Sequence, residues 1–183
     1  MSQAARGAFW TWSVEHYKRQ GVEPLLLRLQ DEFHLNVNVL LWACWCATRF
    51  EPMTDAVLRE AMELTKPWAA NVTRPLRTAR RYLKSPGVLE TTDNEIVSLR
   101  TAIKDSELTA ERVEQSLLEQ LACTRLAITE NGPAQFKTGA INNLATYVAL
   151  AGAAETADSK TSLLESLASH IFMRAPQSAV IGD

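Results

Sequence analysis

Residues 36–50 read Asn-Val-Asn-Val-Leu-Leu-Trp-Ala-Cys-Trp-Cys-Ala-Thr-Arg-Phe, and no other stretch limits the possible folds of this chain so strongly. Wound as a helix, the segment places Val37, Leu40, Leu41, Cys44 and Trp45 on one side and Val39, Trp42, Cys46 and Phe50 on the other. A helix that is apolar all round has to be surrounded by protein or by lipid. Crossing a bilayer takes about 20 apolar residues, and this run is shorter and ends in arginine, so it predicts the central core helix of a helical domain with no membrane span.

The surrounding sequence supplies the covers for such a helix. Aromatic residues recur at helical spacing from Phe9 to Tyr17, with Trp10, Val14 and Tyr17 along one side and Phe9, Trp12 and His16 close by, and Gly21 ends that segment. Val22 and Pro24 open a second helix, rich in leucine, that runs to about Phe33. Asn36 or Asn38 is placed to accept the free amides at the start of the core helix, and Thr54 to cap the one that follows Glu51-Pro52. Val57, Leu58, Ala61, Met62 and Leu64 form its stripe. Pro67 and Pro75 predict a break or kink near Lys66 and a fresh helix from about Pro67 to Lys84, with a turn at Ser85-Pro86-Gly87.

Thr92 or Asp93 then caps a long amphipathic helix over about 94–128, striped by Ile96, Leu99, Ile103, Ala110, Val113, Leu117, Leu121 and Ile128. Asp105-Ser106 and Thr109 are its candidate interruptions. Asn131-Gly132-Pro133 suits a left-handed cap followed by a new helix, and two helices over 134–150 and 160–172 complete the series. Apolar–polar alternation is nowhere sustained. The expectation is an all-α, single-domain bundle of about six to eight helices over 1–172, with a flexible tail at 173–183.

Charge is unevenly distributed although the net charge is only -2. Residues 1–92 carry 12 basic and 9 acidic side chains, and residues 93–183 carry 7 and 12. Between Lys66 and Lys84 there are six basic residues and no acid. At 100° per residue, Arg74, Arg77, Arg81 and Lys84 share a helix face with Arg80 beside them, while Val72, Leu76, Ala79 and Leu83 gather on the side expected to pack. Such a face can hold phosphate oxygens or an acidic protein. Its plainer alternatives are solvation, or neutralisation by Glu107, Glu111, Glu114 and Glu119 of the long helix. Nucleic acid is not favoured, because the chain as a whole is not basic and no recognised binding motif frames the patch.

A second candidate site is the polar cluster set into the apolar N-terminal half: Ser13, His16, Tyr17, Gln30, Asp31, Asn36 and Asn38. One chemical arrangement would have Asp31 orient His16, with Tyr17 or Ser13 reacting. Caps and bridges across helix turns explain the same residues without chemistry, and that structural account is preferred. Phe9, Trp10, Trp12, Trp42, Trp45 and Trp68 are expected to pack the core rather than enclose an apolar ligand. His16, His34 and His170 lie in separate elements, so no zinc spacing is present, and no glycine-rich phosphate loop occurs. Cys44, Cys46 and Cys123 lack C-x-x-C spacing, and no secretory signal precedes them, which favours a reducing cytoplasm.

Phe9-Trp10-x-Trp12-Ser13, Tyr17, Gly21-Val22, Leu29-Gln30-Asp31, Val37-Asn38-x-Leu40-Leu41-x-x-x-Trp45 and Pro75-Leu76-Arg77-x-x-Arg80-Arg81-x-Leu83-Lys84 together give the chain a recognisable pattern. It resembles a family of short proteobacterial proteins known only as a domain of unknown function, and the likeness fades after about Ile128. The resemblance implies no activity, cofactor or catalytic residue. The chain has His34-Leu35-Asn36 where the family pattern has Gly-x-Asp, so a site needing a carboxylate at position 36 does not carry over. The functional expectation is a non-enzymatic cytoplasmic protein with no cofactor or metal. It would work by protein–protein contact through the basic face, the long helix or both, with self-association through the long helix as one form. The alternative is a small enzyme or ligand-binding module built on the polar cluster.

Overall fold

The computed structural model describes residues 7–84, 94–130, 132–152 and 157–173, and these are helical nearly throughout. In chain order the elements are α1 (Ala8–Tyr17), α2 (Val22–Phe33), α3 (Val37–Cys46), α4 (Asp55–Trp68), a π-helical segment (Ala69–Thr73), α5 (Arg74–Tyr82), α6 (Asn94–Arg125), α7 (Pro133–Leu150) and α8 (Ala157–Phe172). The fold is an all-α bundle. The expected turn at Ser85-Pro86-Gly87, the capping residues Thr92 and Asp93, Asn131 and the tail beyond Met173 lie outside the described residues.

α3 is the hub, as an all-round apolar helix must be. Every residue from Asn38 to Cys46 is buried, and α1, α2, α6 and α7 pack around them. Asn36 caps it, its side chain accepting the Asn38 amide at 2.9 Å. Trp45 lies between Phe9 and Phe50, with ring centroids 5.2 and 5.4 Å away. On the opposite side Asn143 of α7 donates to the Ala43 carbonyl at 3.0 Å, and Gly139 brings the α7 backbone against Ala47. The helix ends at Cys46 rather than running to Phe50. The chain turns there, and Phe50 forms an antiparallel bridge with Ile128 that joins the segments following α3 and α6.

α8 closes the bundle by packing on α7 and α2. The chain passes His170 of α8 at Gly21, where φ is +85° and an added Cβ would lie 2.4 Å from the imidazole. Only glycine meets both conditions there.

The proline positions were expected to break or kink the chain near Lys66 and to start a fresh helix at about Pro67; α4 instead runs through Pro67 to Trp68. Pro67 and Pro75 each remove an amide from the helical ladder, and the interruption takes the form of five residues of wider π-helix lying between the two. α1 buries Phe9, Ser13 and His16, while Trp10, Val14 and Tyr17 are half-buried. Ser13 can face inwards because its hydroxyl is bonded to Gln115 of α6 at 2.7 Å.

α6 is continuous through Asp105, Ser106 and Thr109 and stops at Arg125. Of its expected stripe, Ala110 and Leu121 are buried, whereas Leu99, Val113 and Ile128 are exposed. The buried face instead carries Glu107, Glu114, Gln115 and Glu119. Polar groups inside a protein are as a rule hydrogen-bonded, because burying one without a partner is costly. Glu119 shows the principle, accepting the amides of Gly7 at 3.0 Å and Ala8 at 3.1 Å and so capping α1 from a distance. Gly132 is extended, not left-handed, and it serves as the N-cap of α7 rather than as the end of α6.

Candidate functional site

The basic face and the polar cluster, far apart in sequence, meet at one cleft of about 580 Å³. Gln30 and Asp31 of α2, the turn from His34 to Asn38, Thr73 of the π-helix, Arg74, Arg77 and Arg81 of α5, and Glu111 and Glu114 of α6 all line it. Ala69 and Thr78 complete the wall on the α4–α5 side.

Ion pairs to α6 hold α5 in place. Glu107 accepts from Arg77 Nε at 2.8 Å and from Arg80 Nε, and Arg77 Nη2 donates to Glu111 at 3.0 Å. The remaining Arg77 nitrogen donates to Gln30 of α2, so this one guanidinium ties three helices together. α5 buries no residue, and Ala79, expected on the packing side, is exposed. The arginine stems and their charges therefore carry much of the contact with α6. Arg81 pairs with Asp31 at 3.5 Å across the rim, while Arg74 and Lys84 are exposed.

The floor of the cleft is a network of buried amides around one carboxylate. Glu114 is 1% exposed and accepts from Asn36 Nδ2 at 2.6 Å and Asn38 Nδ2 at 2.8 Å. Asn38 in turn accepts from Gln115 at 2.8 Å, and Gln115 accepts the Ser13 hydroxyl. Tyr147 of α7 accepts the Asn36 amide at 3.0 Å. An asparagine at position 36 suits this arrangement, because its amide can both cap α3 through oxygen and donate to Glu114 through nitrogen.

Electrostatics separates the three acids. Burial pushes Glu107 upward, but the hydrogen bonds and charges of Arg80 and Arg77 outweigh it and leave the carboxyl below its usual range. Burial raises Glu111 and Glu114, and the donors around each offset this only in part. The hydrogen bond from Gln30, with help from Arg81, lowers Asp31.

The polar cluster does not assemble into a reacting set. His16 stacks on Trp12 at 4.0 Å, and its Nδ1 lies 2.7 Å from the Trp12 carbonyl. Asp31 bonds to Gln30 and Arg81, and Tyr17 donates to Glu23 at 3.4 Å. Burial raises the Tyr17 hydroxyl to about 12 and lowers the His16 imidazole. Of the cluster, Gln30, Asp31, Asn36 and Asn38 reach the cleft, and Ser13 touches it only through Gln115. The aromatic residues are likewise dispersed. Phe9, Trp42 and Trp45 are in the core, Arg112 lies over Trp10, and Trp68 donates to the Ala110 carbonyl at 3.0 Å. Among the described residues no group of three His, Cys, Asp or Glu is placed to hold a metal ion. No described helix is long and apolar enough to cross a membrane.

The segment that builds this cleft, from α1 through the middle of α6, coincides with a family match: the model described as a protein of unknown function (DUF2390) spans residues 8–118. The chain belongs to that family. No curated protein and no solved structure matches it. The match takes in every cleft-lining residue from Gln30 to Glu114, whereas α7 and α8, which finish the core, lie beyond it. Sequence reasoning missed Glu114 and Thr73 as site residues. The one available signal was the spacing of Glu107, Glu111 and Glu114, which puts three acids on the same face of α6.

The opposed shifts give a pH prediction. A carboxylate whose folded value lies below its ordinary value, here 4.5, contributes stability that is full above that ordinary value and is lost as pH falls through the lowered folded one. Glu111 and Glu114 act in the opposite sense, because ionising them in the folded state costs stability as pH rises through their raised values. Glu107→Gln is therefore expected to lower stability by about 1 to 3 kcal/mol near neutral pH, and the deficit should shrink towards about pH 3. Urea midpoints across that range test it. A deficit independent of pH would show that the Glu107 charge is not what stabilises.

Proposed function

We propose that this protein is a non-enzymatic binding module that takes a small polar ligand in the cleft between α2, the 34–38 turn and α5. The observation that supports this reading is the convergence of two separate polar clusters on one concavity of about 580 Å³. Small-molecule sites commonly measure roughly 300 to 1,000 Å³, whereas a protein contact through a helix face needs no such hollow. The walls offer donors and acceptors of both charges, and the floor is held by a satisfied hydrogen-bond network, so the site is formed before the ligand arrives. A cytoplasmic setting belongs to the same reading, since the three cysteines are unpaired and burial raises the Cys44 and Cys46 thiols, keeping them inert.

A second reading rests on α6. Val97, Leu99, Leu108 and Val113 are exposed along it, Val97 with Leu108 on one side and Leu99 with Val113 on the other, and large apolar side chains left on a surface suit a protein partner or a second copy of the chain. The two are separated by Thr78→Trp, which fills the cleft from an exposed wall position. Native mass spectrometry of the purified chain with a mixture of polar metabolites is expected to show a retained ligand that the variant loses. If the parent chain retains nothing, while affinity capture recovers a protein that the variant binds equally well, the cleft reading fails and α6 is the working surface.

A further inference from the structure

The charges around the cleft pair off, and two are left over. Arg77 and Arg80 are matched by Glu107 and Glu111, and Arg81 by Asp31. Glu114 receives hydrogen bonds only from neutral amides, and Arg74 makes no ion pair among the described residues. A cation near the rim and an anion at the floor thus face one cavity without direct counter-charges.

One hydroxyl is left over as well. Thr73 is 5% exposed and lines the cleft, yet its Oγ1 has no hydrogen-bond partner among the described residues. A threonine buried in a helix ordinarily donates to the carbonyl four residues back, as Thr65 does to Ala61 at 2.8 Å. Thr73 closes the π-helical segment beside the cleft, and π-helical turns recur at functional sites. A buried donor without a partner is costly to keep, and a ligand oxygen would satisfy it.

Resting on the binding reading above, we propose that the cleft takes a small zwitterion, its carboxylate accepting from the Thr73 hydroxyl and the Arg74 guanidinium and its ammonium facing Glu114. The remaining acids support this choice over a multiply charged anion. Arg77 and Arg81 are already matched by Glu111 and Asp31, so the lining offers a second negative charge of a phosphate dianion no unpaired cation and sets it against Glu114. Glu114, which burial makes reluctant to ionise, gains a cation that favours its charged form.

The test is calorimetric titration of the full chain with the common amino acids and with glycine, β-alanine, 4-aminobutanoate and 5-aminopentanoate, which vary the distance between the two charges. At least one is expected to bind, and its methyl ester and its N-acetyl derivative should each bind about ten-fold or more weakly. Thr73→Val keeps the shape and removes the unpaired hydroxyl. It should melt at or above the parent temperature while binding the same ligand about ten-fold more weakly. Undiminished binding by Thr73→Val overturns the carboxylate assignment. If every zwitterion is silent but a sugar or a dianion binds and Thr78→Trp abolishes that binding, this inference falls and the binding reading stands. If nothing from the wider metabolite mixture binds either, both fall.

Discussion

Trp45→Ala is expected to destabilise the protein by about 3 to 5 kcal/mol. The side chain is 2% exposed, sits between Phe9 and Phe50, and carries Arg49 over its outer face at 5.8 Å. Its neighbours come from α1 and from the turn that bridges to Ile128, so the cavity left behind has walls on separate elements that cannot easily close. Domains of this size are stable by only about 5 to 15 kcal/mol, and the variant should be partly unfolded at physiological temperature. Urea denaturation followed by circular dichroism measures the loss. A midpoint unchanged within error would mean that α3 does not organise the core.

Arg77→Gln and Arg81→Gln should differ sharply although the residues are one helical turn apart. Arg77 holds two carboxylates and an amide, with only 20% of its side chain exposed, and Glu107 beneath it has 7%. Removing one member of a buried ion pair leaves the other charge uncompensated, and the expected loss is about 3 kcal/mol or more. Arg81 and Asp31 are each more than half exposed, so their pair contributes about 0 to 1 kcal/mol. Separate denaturation of the two single variants decides the matter, and equal, small losses would refute the structural role assigned to Arg77.

The contrast between these two arginines shows which parts of the fold could be read from the chain. Local signals carried the helices. Asn36 and Thr54 cap where their side chains allow, Pro133 opens a helix, and the apolar run at 37–46 becomes the buried hub. The buried face of α6 was harder to read, because Glu107, Glu114 and Glu119 look solvent-facing until their partners are known. Those partners lie 27 to 112 residues away, and no spacing rule within a helix reaches them. The cleft was legible as two halves, a basic face and an amide-rich turn, and not as one site. Only the packing of α5 on α6, fixed by Arg77 and Glu107, brings the halves together.

The order in which the chain is made adds a demand that the finished bundle conceals. Ala43 accepts from Asn143, 100 residues later, and Asn38 waits for Gln115, 77 residues later. At about 5 to 20 residues per second, the most apolar helix leaves the ribosome about 5 to 20 s before its α7 cover exists. At the start of that interval α3 has only α1 and α2 for company, and even once α6 is made the flank that α7 covers stays bare. Apolar surface exposed in this way is prone to associate wrongly until its cover is made, so the helix that organises the finished bundle is also the part of the chain most at risk while it is incomplete.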